Sequence, residues 1–513
     1  MDRIVVRRDS YFDSVFLMSL SAELGRTASL EAGHVVLATP ANRQLLEGLG
    51  FELGPFGPLG PTDLVVALRA TAAETIATAE TRLEELIASR RPTSSGDGSP
   101  VEPLGGVAGA LQQLPGANLA LISVPGEYAA YEAAKALEAS LHVMIFSDNV
   151  SIDDEVALKR RAADRGLLVM GPDCGTAMIG GKPLCFANRV RSGPIGLIGA
   201  SGTGLQEVSC QIHRLGSGVS QMIGVGGRDL STAVGGLSTL AAIDLLAADA
   251  ATRVLVVVSK PPAPEVAARV IERLTALGRP SVVVFLGDKP RVDHGTVNVA
   301  EGLSEAAWIA CSLVMDRPGA APTGSEAAAP DVAKICARMS PAQRWLQGLF
   351  CGGTLAAEAL LLLRHQVEVV RSNLDHDEQG IPSAGEHAIL DLGDDVFTRG
   401  RPHPMIEPRL RAEWIAERGG DPTTAVLLLD CVLGHGSHPD PAGVTAEAIA
   451  VARARNPGLA VMASVTGTDL DLQGLTRQQA ILREAGAAVL SSNAGAAAAA
   501  ARVIKSIKNT ERR

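Results

Sequence analysis

A chain of 513 residues is long enough for three or four domains at roughly 150 residues each. With 46% hydrophobic and 20% charged residues it can bury large cores and is not globally disordered, while a net charge of −10 and only 3% aromatic residues exclude a basic, base-stacking nucleic-acid binder. Only eight of its 46 basic residues are Lys, so positive charge is carried mostly by guanidinium, the better fork for phosphate and carboxylate.

Met1–Ser10 is charged and holds no apolar run of signal-peptide length. Tyr11-Phe-Asp-Ser14 reads as a helix start rather than a nucleotide-binding loop. Arg91–Pro103, rich in Ser, Gly and Pro, is expected to be a mobile loop. Short apolar runs then predict strands at Leu119–Val124, His142–Phe146, Leu167–Met170, Ile195–Ile198, Val254–Val258 and Ser281–Leu286. Asp316–Pro330 has the Pro/Gly/Ala makeup of a tether, and a second strand series follows at Val426–Leu429, Ala460–Ser464 and Ala487–Leu490. Continuously apolar strands separated by helical stretches indicate parallel sheets covered on both faces, an α/β chain throughout. The longest charge-free runs, Pro103–Gly126 and Ala485–Ala501, are broken by polar or small residues and do not read as membrane spans. Seven scattered Cys, never spaced C-x-x-C, predict reduced thiols in a cytoplasmic protein and no metal site.

The strongest local signal runs from Ile195 through Ser201-Gly202-Thr203-Gly204 to Val208: a strand, a turn of small residues and a helix start. Glycines let the backbone approach an anion, and the unpaired amides and dipole of a helix start favour negative charge. The same residues also suit a tight turn with an N-cap. Gly226-Gly227-Arg228-Asp229 and Ser259-Lys260-Pro261 follow the next strands, and loops beyond the carboxyl ends of parallel strands are where open sheets bind ligands. Singly, Arg228 would pair with Asp229 and Lys260 would sit in solvent; together the three loops favour one anion site.

Further along, Asp430-Cys431-Val-Leu-Gly434-His435-Gly436-Ser437-His438 repeats the plan of strand and Gly-rich turn, followed by a helix started by Pro441. His435 and His438 suit acid/base work, metal ligation or a polar loop. Cys351-Gly352-Gly353-Thr354 offers another small-residue helix start, with Cys351 either reactive or structural. Acidic and basic groups crowd Asp391–Asp395 and Arg399–His403 without metal-ligand spacing.

Gly171-Pro-Asp-Cys-Gly175, Gly193-Pro-Ile-Gly196, Ser201-Gly-Thr203, Gly226-Gly227 and Val256–Lys260 resemble the α-subunit of succinyl-CoA synthetases, and residues 345–505 resemble the C-terminal domain of their β-subunit. The resemblance implies a Rossmann-like CoA-binding-type domain over 1–190, flavodoxin-like parallel-sheet domains over 191–315 and 341–513, a linker over 316–340, and no ATP-grasp domain. It also implies a phosphate held between two helix starts, matched here by Ser201–Leu205 and Gly434–Pro441. At the strand end where the synthetases carry a Glu supporting a phosphohistidine, this chain has Lys260, and His294 lies roughly where that histidine would be.

Nearly verbatim phrases resemble the FdrA family: LALISVPGEYAA (119–130), FSDNV (146–150), LVMGPDCGT (168–176), GASGTGLQE (199–207), GGRDL (226–230), SKPP (259–262), GGTLAAE (352–358), DLGDD (391–395) and GRPHPMI (400–406). That resemblance implies a carbamoyl/acyl transferase working with other protein subunits or as a homo-oligomer, away from nucleic acid and membrane. Its reaction would be oxamate carbamoyltransferase chemistry in purine and allantoin breakdown, converting oxalurate and phosphate to oxamate and carbamoyl phosphate. On this reading Lys260, Asp430 and His435 are catalytic. Ser201, Gly202, Thr203, Gly204, Gly226, Gly227, Arg228, Gly434 and Gly436 hold phosphate or carbamoyl phosphate. Cys351, Gly352, Gly353, Thr354, Thr466 and Gly467 contact the acceptor. The alternatives are an acyl-CoA synthetase that borrows an ATP-grasp partner, binds CoA and phosphorylates His294, and a non-catalytic scaffold binding an acyl phosphate or CoA-like ligand.

Overall fold

The computed structural model describes residues 1–10, 12, 14–25, 27–90, 106–288, 295–315, 330–375, 380–398 and 402–511. The loop expected over 91–103, most of the tether and His294 lie outside the described residues. All nine strands read from the sequence are present, with ends differing by a few residues.

The first 190 residues do not form one Rossmann-like domain. Strands Asp2–Arg7, Leu30–Leu37 and Leu64–Ala70 make a three-stranded antiparallel sheet with the last strand in the middle. Its alternation splits two small cores. Leu64, Val66, Leu68 and Ala70 pack under the helices Ser14–Leu24 and Ala73–Arg90, while Val65 and Ala67 meet Leu46, Phe51 and Leu53 on the other face. The parallel strands that follow make a separate sheet: Leu119–Ile122, His142–Ile145 and Val169–Met170. The sequence reading placed no strand before Leu119 and therefore had no register with which to separate the two.

Strands Ser192–Gly199, Val219–Gly224, Val254–Ser259, Ser281–Phe285 and Val297–Val299 form a parallel sheet in the flavodoxin-like order 2-1-3-4-5, extended by the antiparallel hairpin Thr176–Ile179/Lys182–Cys185. The last sheet is also parallel: Trp345–Phe350, Val370–Ser372, His387–Asp391, Thr424–Val432, Ala460–Thr466 and Ala488–Leu490, in order 2-3-1-4-5-6. In both sheets the chain changes direction of winding beside the first strand, and there the crevice for a ligand opens. The helices Gly202–Arg214 and Gly353–Arg364 start at these two points.

One apolar core joins the two sheets, running from Val256, Val258, Leu205 and Val208 through Leu355 and Ala359 to Leu428, Met462 and Ala497. The alanines of Asn493–Glu511 lie here, letting that helix pack closely over the last sheet. The smaller parallel sheet is tied to its neighbour by a buried network. Lys159 Nζ donates to Glu155 at 2.7 Å, to Asp229 at 2.7 Å and to the Val225 carbonyl at 3.0 Å. Asp229 in turn accepts from the amides of Ser238 and Thr239. Lys159→Met should therefore cost about 3–5 kcal/mol, chiefly by leaving the buried Asp229 without its cation, since Glu155 keeps Arg228 at 2.9 Å. Urea unfolding measures this, and a loss below about 1 kcal/mol would show that the network does not hold the units together.

Candidate functional site

The helix Gly202–Arg214 is N-capped by Ser201, whose Oγ accepts the Gly204 amide at 3.1 Å. The helix Gly353–Arg364 follows Gly352 and has no side-chain cap of its own. The two starts meet head to head: Ser201 Oγ and Thr354 Oγ1 hydrogen-bond at 2.6 Å, and the Thr354 amide donates to Thr203 Oγ1 at 3.4 Å. Both read Gly-Thr-x-x-x-Glu, with Glu207 and Glu358 buried one turn further in. Among the described residues the amides of Gly202, Thr203 and Gly353 meet no acceptor. Two helix dipoles and three donors thus converge where an anion can sit.

Charged groups gather around the second start. A Cβ built on Gly353 would lie 3.7 Å from Lys260 Nζ and would collide with Asp391 Oδ2, so only glycine leaves the cradle open. Lys260 follows the strand Val254–Ser259, is exposed, and makes no ion pair within 4 Å among the described residues. Asp391, at the end of its own strand, accepts the Gly393 amide at 2.9 Å. Burial pushes its carboxyl up to about 6, against the pull of Lys260. Asp173 is likewise raised to about 6 by desolvation and by the charges of Asp148 and Asp395, with Arg228 and Lys260 opposing. His403 accepts the Met405 amide on Nδ1 at 3.2 Å, which leaves the proton on Nε2, and burial lowers it to about 4, so it is neutral.

Several residues singled out in the sequence lie elsewhere. Gly434 and Gly436 do not open a helix; the next one begins only at Pro441. Their positive φ values of 112° and 77° serve a close approach to residues 185–188, where the His435 amide donates to the Ala187 carbonyl at 2.9 Å. The partner of the Ser201 start is therefore Gly352–Thr354, not Gly434–Pro441. His435 Nε2 accepts from Arg189 Nε at 3.0 Å. Thr466 donates to Glu207 at 2.6 Å and the Gly467 carbonyl accepts from Arg214 Nη2 at 2.8 Å, so both tie the helix Gly202–Arg214 to the last sheet.

Cys351 is buried, its thiol pushed well above the usual range by burial and by Asp430, and is unsuited to nucleophilic work. Asp430 is fully buried and held by backbone amides and Arg411, which removes it from acid/base chemistry on a ligand. Gly226 packs on the Pro172 carbonyl, and Gly227 borders open space. Arg228 donates from Nη2 to the Val150 carbonyl at 2.8 Å, and the same nitrogen lies 2.9 Å from Glu155, so one arm of its fork is engaged by the protein. Asp391 and Asp173 are the groups that sequence reasoning left without a role. An acidic residue closing an apolar strand, two positions before Gly393, was the available signal for Asp391.

Three family models match the chain: "AllF, heavy metal-associated domain" over 1–103, "CoA binding domain" over 190–287 and "CoA-ligase" over 349–503. The chain is thus an α/β protein built on CoA-binding and CoA-ligase domains. The CoA-binding match falls on the 2-1-3-4-5 sheet rather than on residues 1–190. Over 503 residues, 96% of each chain, the sequence is 42% identical to "Uncharacterized protein YahF" of Escherichia coli (strain K12), and the protein belongs to that family.

It is also 27% identical over 115 residues to a succinate–CoA ligase [ADP-forming] subunit alpha 2 of Archaeoglobus fulgidus, covering 22% of this chain and 40% of that one. The corresponding alpha subunit of Methanothermobacter thermautotrophicus is 27% identical over 222 residues, covering 40% and 72%. Among solved structures, the dinucleotide-forming acetyl-coenzyme A synthetase 1 of Ca. Korarchaeum cryptofilum matches at 16% identity over 77% of this chain and 85% of that one, with a TM-score of 0.31.

The first model's name implies a heavy metal, but the residues do not fit one. Residues 1–103 contain no Cys and one His, His34, which meets Phe51 edge to face. Among the described residues no group of three or more His, Cys, Asp or Glu is placed to hold a metal. In the described chain no helix is long and apolar enough to cross a membrane.

Proposed function

We propose that the protein transfers an acyl group between a phosphate anhydride and a thiol, as an acyl-CoA ligase-like subunit, with the phosphate held between the Gly202–Thr203 and Gly353–Thr354 helix starts. The meeting of those two starts beside Lys260 carries this reading, and the CoA-binding and CoA-ligase matches support it. In the step, a thiol sulfur attacks the carbonyl carbon of the acyl phosphate. The carbon–sulfur bond forms, the carbon–oxygen bond to phosphate breaks, and phosphate leaves with the electron pair. The amides and Lys260 take up the growing negative charge, and Asp391 accepts the thiol proton. The nucleotide-dependent half of such a reaction belongs to a partner subunit.

A second reading, carbamoyl transfer, is favoured by Lys260 itself, which can hold phosphate directly where the synthetases support a phosphohistidine, and by the FdrA-like phrases. Here a phosphate oxygen attacks the carbamoyl carbon of oxalurate, the carbon–nitrogen bond breaks, and protonated Asp391 returns a proton to the leaving oxamate nitrogen. Purified protein, alone and with co-expressed neighbouring subunits, separates the two. CoA-dependent phosphate release from an acyl phosphate supports the first, and carbamoyl phosphate formed from oxalurate and phosphate supports the second. Absence of both, together with no binding of phosphate, would overturn the site.

The raised carboxyl of Asp391 sets a pH signature. Above about 6 it is charged and repels an anion in the cradle; below, it is neutral and the repulsion is gone. Sulfate, whose charge is constant across this range, should bind more tightly as pH falls through about 6, measured by titration calorimetry. Asp391→Asn should reduce that dependence to the part Asp173 contributes and bind sulfate at neutral pH more tightly than the parent does. A profile unchanged by the substitution would place Asp391 outside the site.

A further inference from the structure

We infer that Asp430 and Arg411 form a positioning clamp that aims the Gly353–Thr354 start at its counterpart; this rests on the anion site proposed above. Asp430 lies on the central strand Thr424–Val432, directly behind the loop that leads into the second helix. Its Oδ2 accepts the Gly352 amide at 2.8 Å, and its two oxygens accept the Cys351 amide at 3.0 and 3.2 Å. The Cys351 thiol adds a weaker contact to Oδ2 at 3.4 Å. One carboxylate therefore fixes two consecutive peptide planes immediately before the first helical residue.

Arg411 fixes the carboxylate in turn. Its Nη2 donates to Asp430 Oδ1 at 3.0 Å and to the Asp430 carbonyl at 2.5 Å, and its Nε donates to the Leu349 carbonyl at 3.0 Å. Both side chains are buried, 4% and 0% exposed, so neither is available to a ligand or to solvent. The guanidinium spans the ends of two neighbouring strands, Trp345–Phe350 and Thr424–Val432, and thereby sets the loop against the sheet.

The arrangement also has an electrostatic consequence. A bare carboxylate on these amides would occupy the positive end of the helix and repel an anion in front of it; the paired guanidinium cancels that charge. The first helix needs no such device, because Ser201 caps it with a neutral hydroxyl. The clamp fixes the loop before this uncapped start and leaves the Gly353 amide open toward the cradle.

The two partners should then fail differently. Asp430→Asn keeps one acceptor and removes the charge, so the loop loosens. Arg411→Met leaves the charge unpaired behind the tip, so it should weaken inorganic phosphate more than Asp430→Asn does, and more strongly at low salt. Expected values are a Kd for phosphate raised about tenfold in Asp430→Asn and further in Arg411→Met, with KM for the thiol unchanged. Arg411→Lys, which keeps the charge but not the fork, should fall between the parent and Arg411→Met and serves if the Met variant fails to fold. Hydrogen exchange of the amides of residues 351–354 gives a readout independent of phosphate, and these should exchange faster in Asp430→Asn while those of 202–205 do not change. Parent protein that binds no phosphate but shows this selective loss of protection would refute the anion site and keep the clamp. A folded Asp430→Asn variant with parental exchange at 351–354 would overturn the clamp.

Discussion

Lys260→Glu should weaken inorganic phosphate by roughly a hundredfold. Loss of a charged hydrogen-bond donor alone costs about 1.5–3 kcal/mol, and the new carboxylate adds repulsion beside Asp391. Lys260 is on the surface of its loop and carries no described ion pair, so the fold should not suffer. A melting temperature like the parent's, with phosphate binding lost, separates a binding role from a structural one. Lys260→Arg should retain most of the affinity. Unchanged phosphate binding in the Glu variant would move the anion away from the second helix start, and with it the proposed chemistry.

Gly353→Ala should reduce turnover at least tenfold while the protein stays folded. The added Cβ collides with Asp391 Oδ2 and points toward Lys260, so the methyl group enters the cradle itself. Relief requires either the carboxylate or the helix start to shift, and overpacking of this kind commonly costs about 1–3 kcal/mol. Gly109→Ala makes a matched control, because nothing lies within 4 Å of its added Cβ. Phosphate affinity, measured by calorimetry on both variants, should fall only in the first. Equal behaviour of the two would mean that the narrow space at Gly353 has no bearing on ligand.

Much of the architecture is legible in the residues. Val254–Ser259 and Thr424–Val432 are apolar at almost every position because both faces are covered, and such runs announce parallel strands without any knowledge of their neighbours. The Ser201 start is equally local: cap, glycine and threonine stand together within a few residues. Its partner was not fixed by local pattern. Gly352–Thr354 and Gly434–Ser437 are both glycine-rich turns after strands, and the difference between them is tertiary. Gly434 and Gly436 are small because residues 185–188 press on them, a contact spanning some 250 positions of sequence. Asp391 reads as an ordinary strand-end acid until the sheet order places it beside Lys260, which comes from a different sheet. The first ninety residues were missed for another reason: the two outer strands Asp2–Arg7 and Leu30–Leu37 mix polar and apolar positions and pair antiparallel, so they lack the continuous apolar signature of the rest, and only the central Leu64–Ala70 carries it.

The helix Gly202–Arg214 is held most firmly at the end remote from Ser201. Arg214 donates to the carbonyls of Ser491, Val465 and Gly467, and His213 meets Asp469 at 2.6 Å. A 13-residue helix is about 20 Å long. Pivoting it by about 5° about that far end would carry its opening turn through nearly 2 Å, enough to separate the Ser201 and Thr354 hydroxyls. The Glu207–Thr466 bond, one turn behind the start, opposes such a pivot, so the last sheet braces this helix at both ends and keeps the gap between the two jaws fixed.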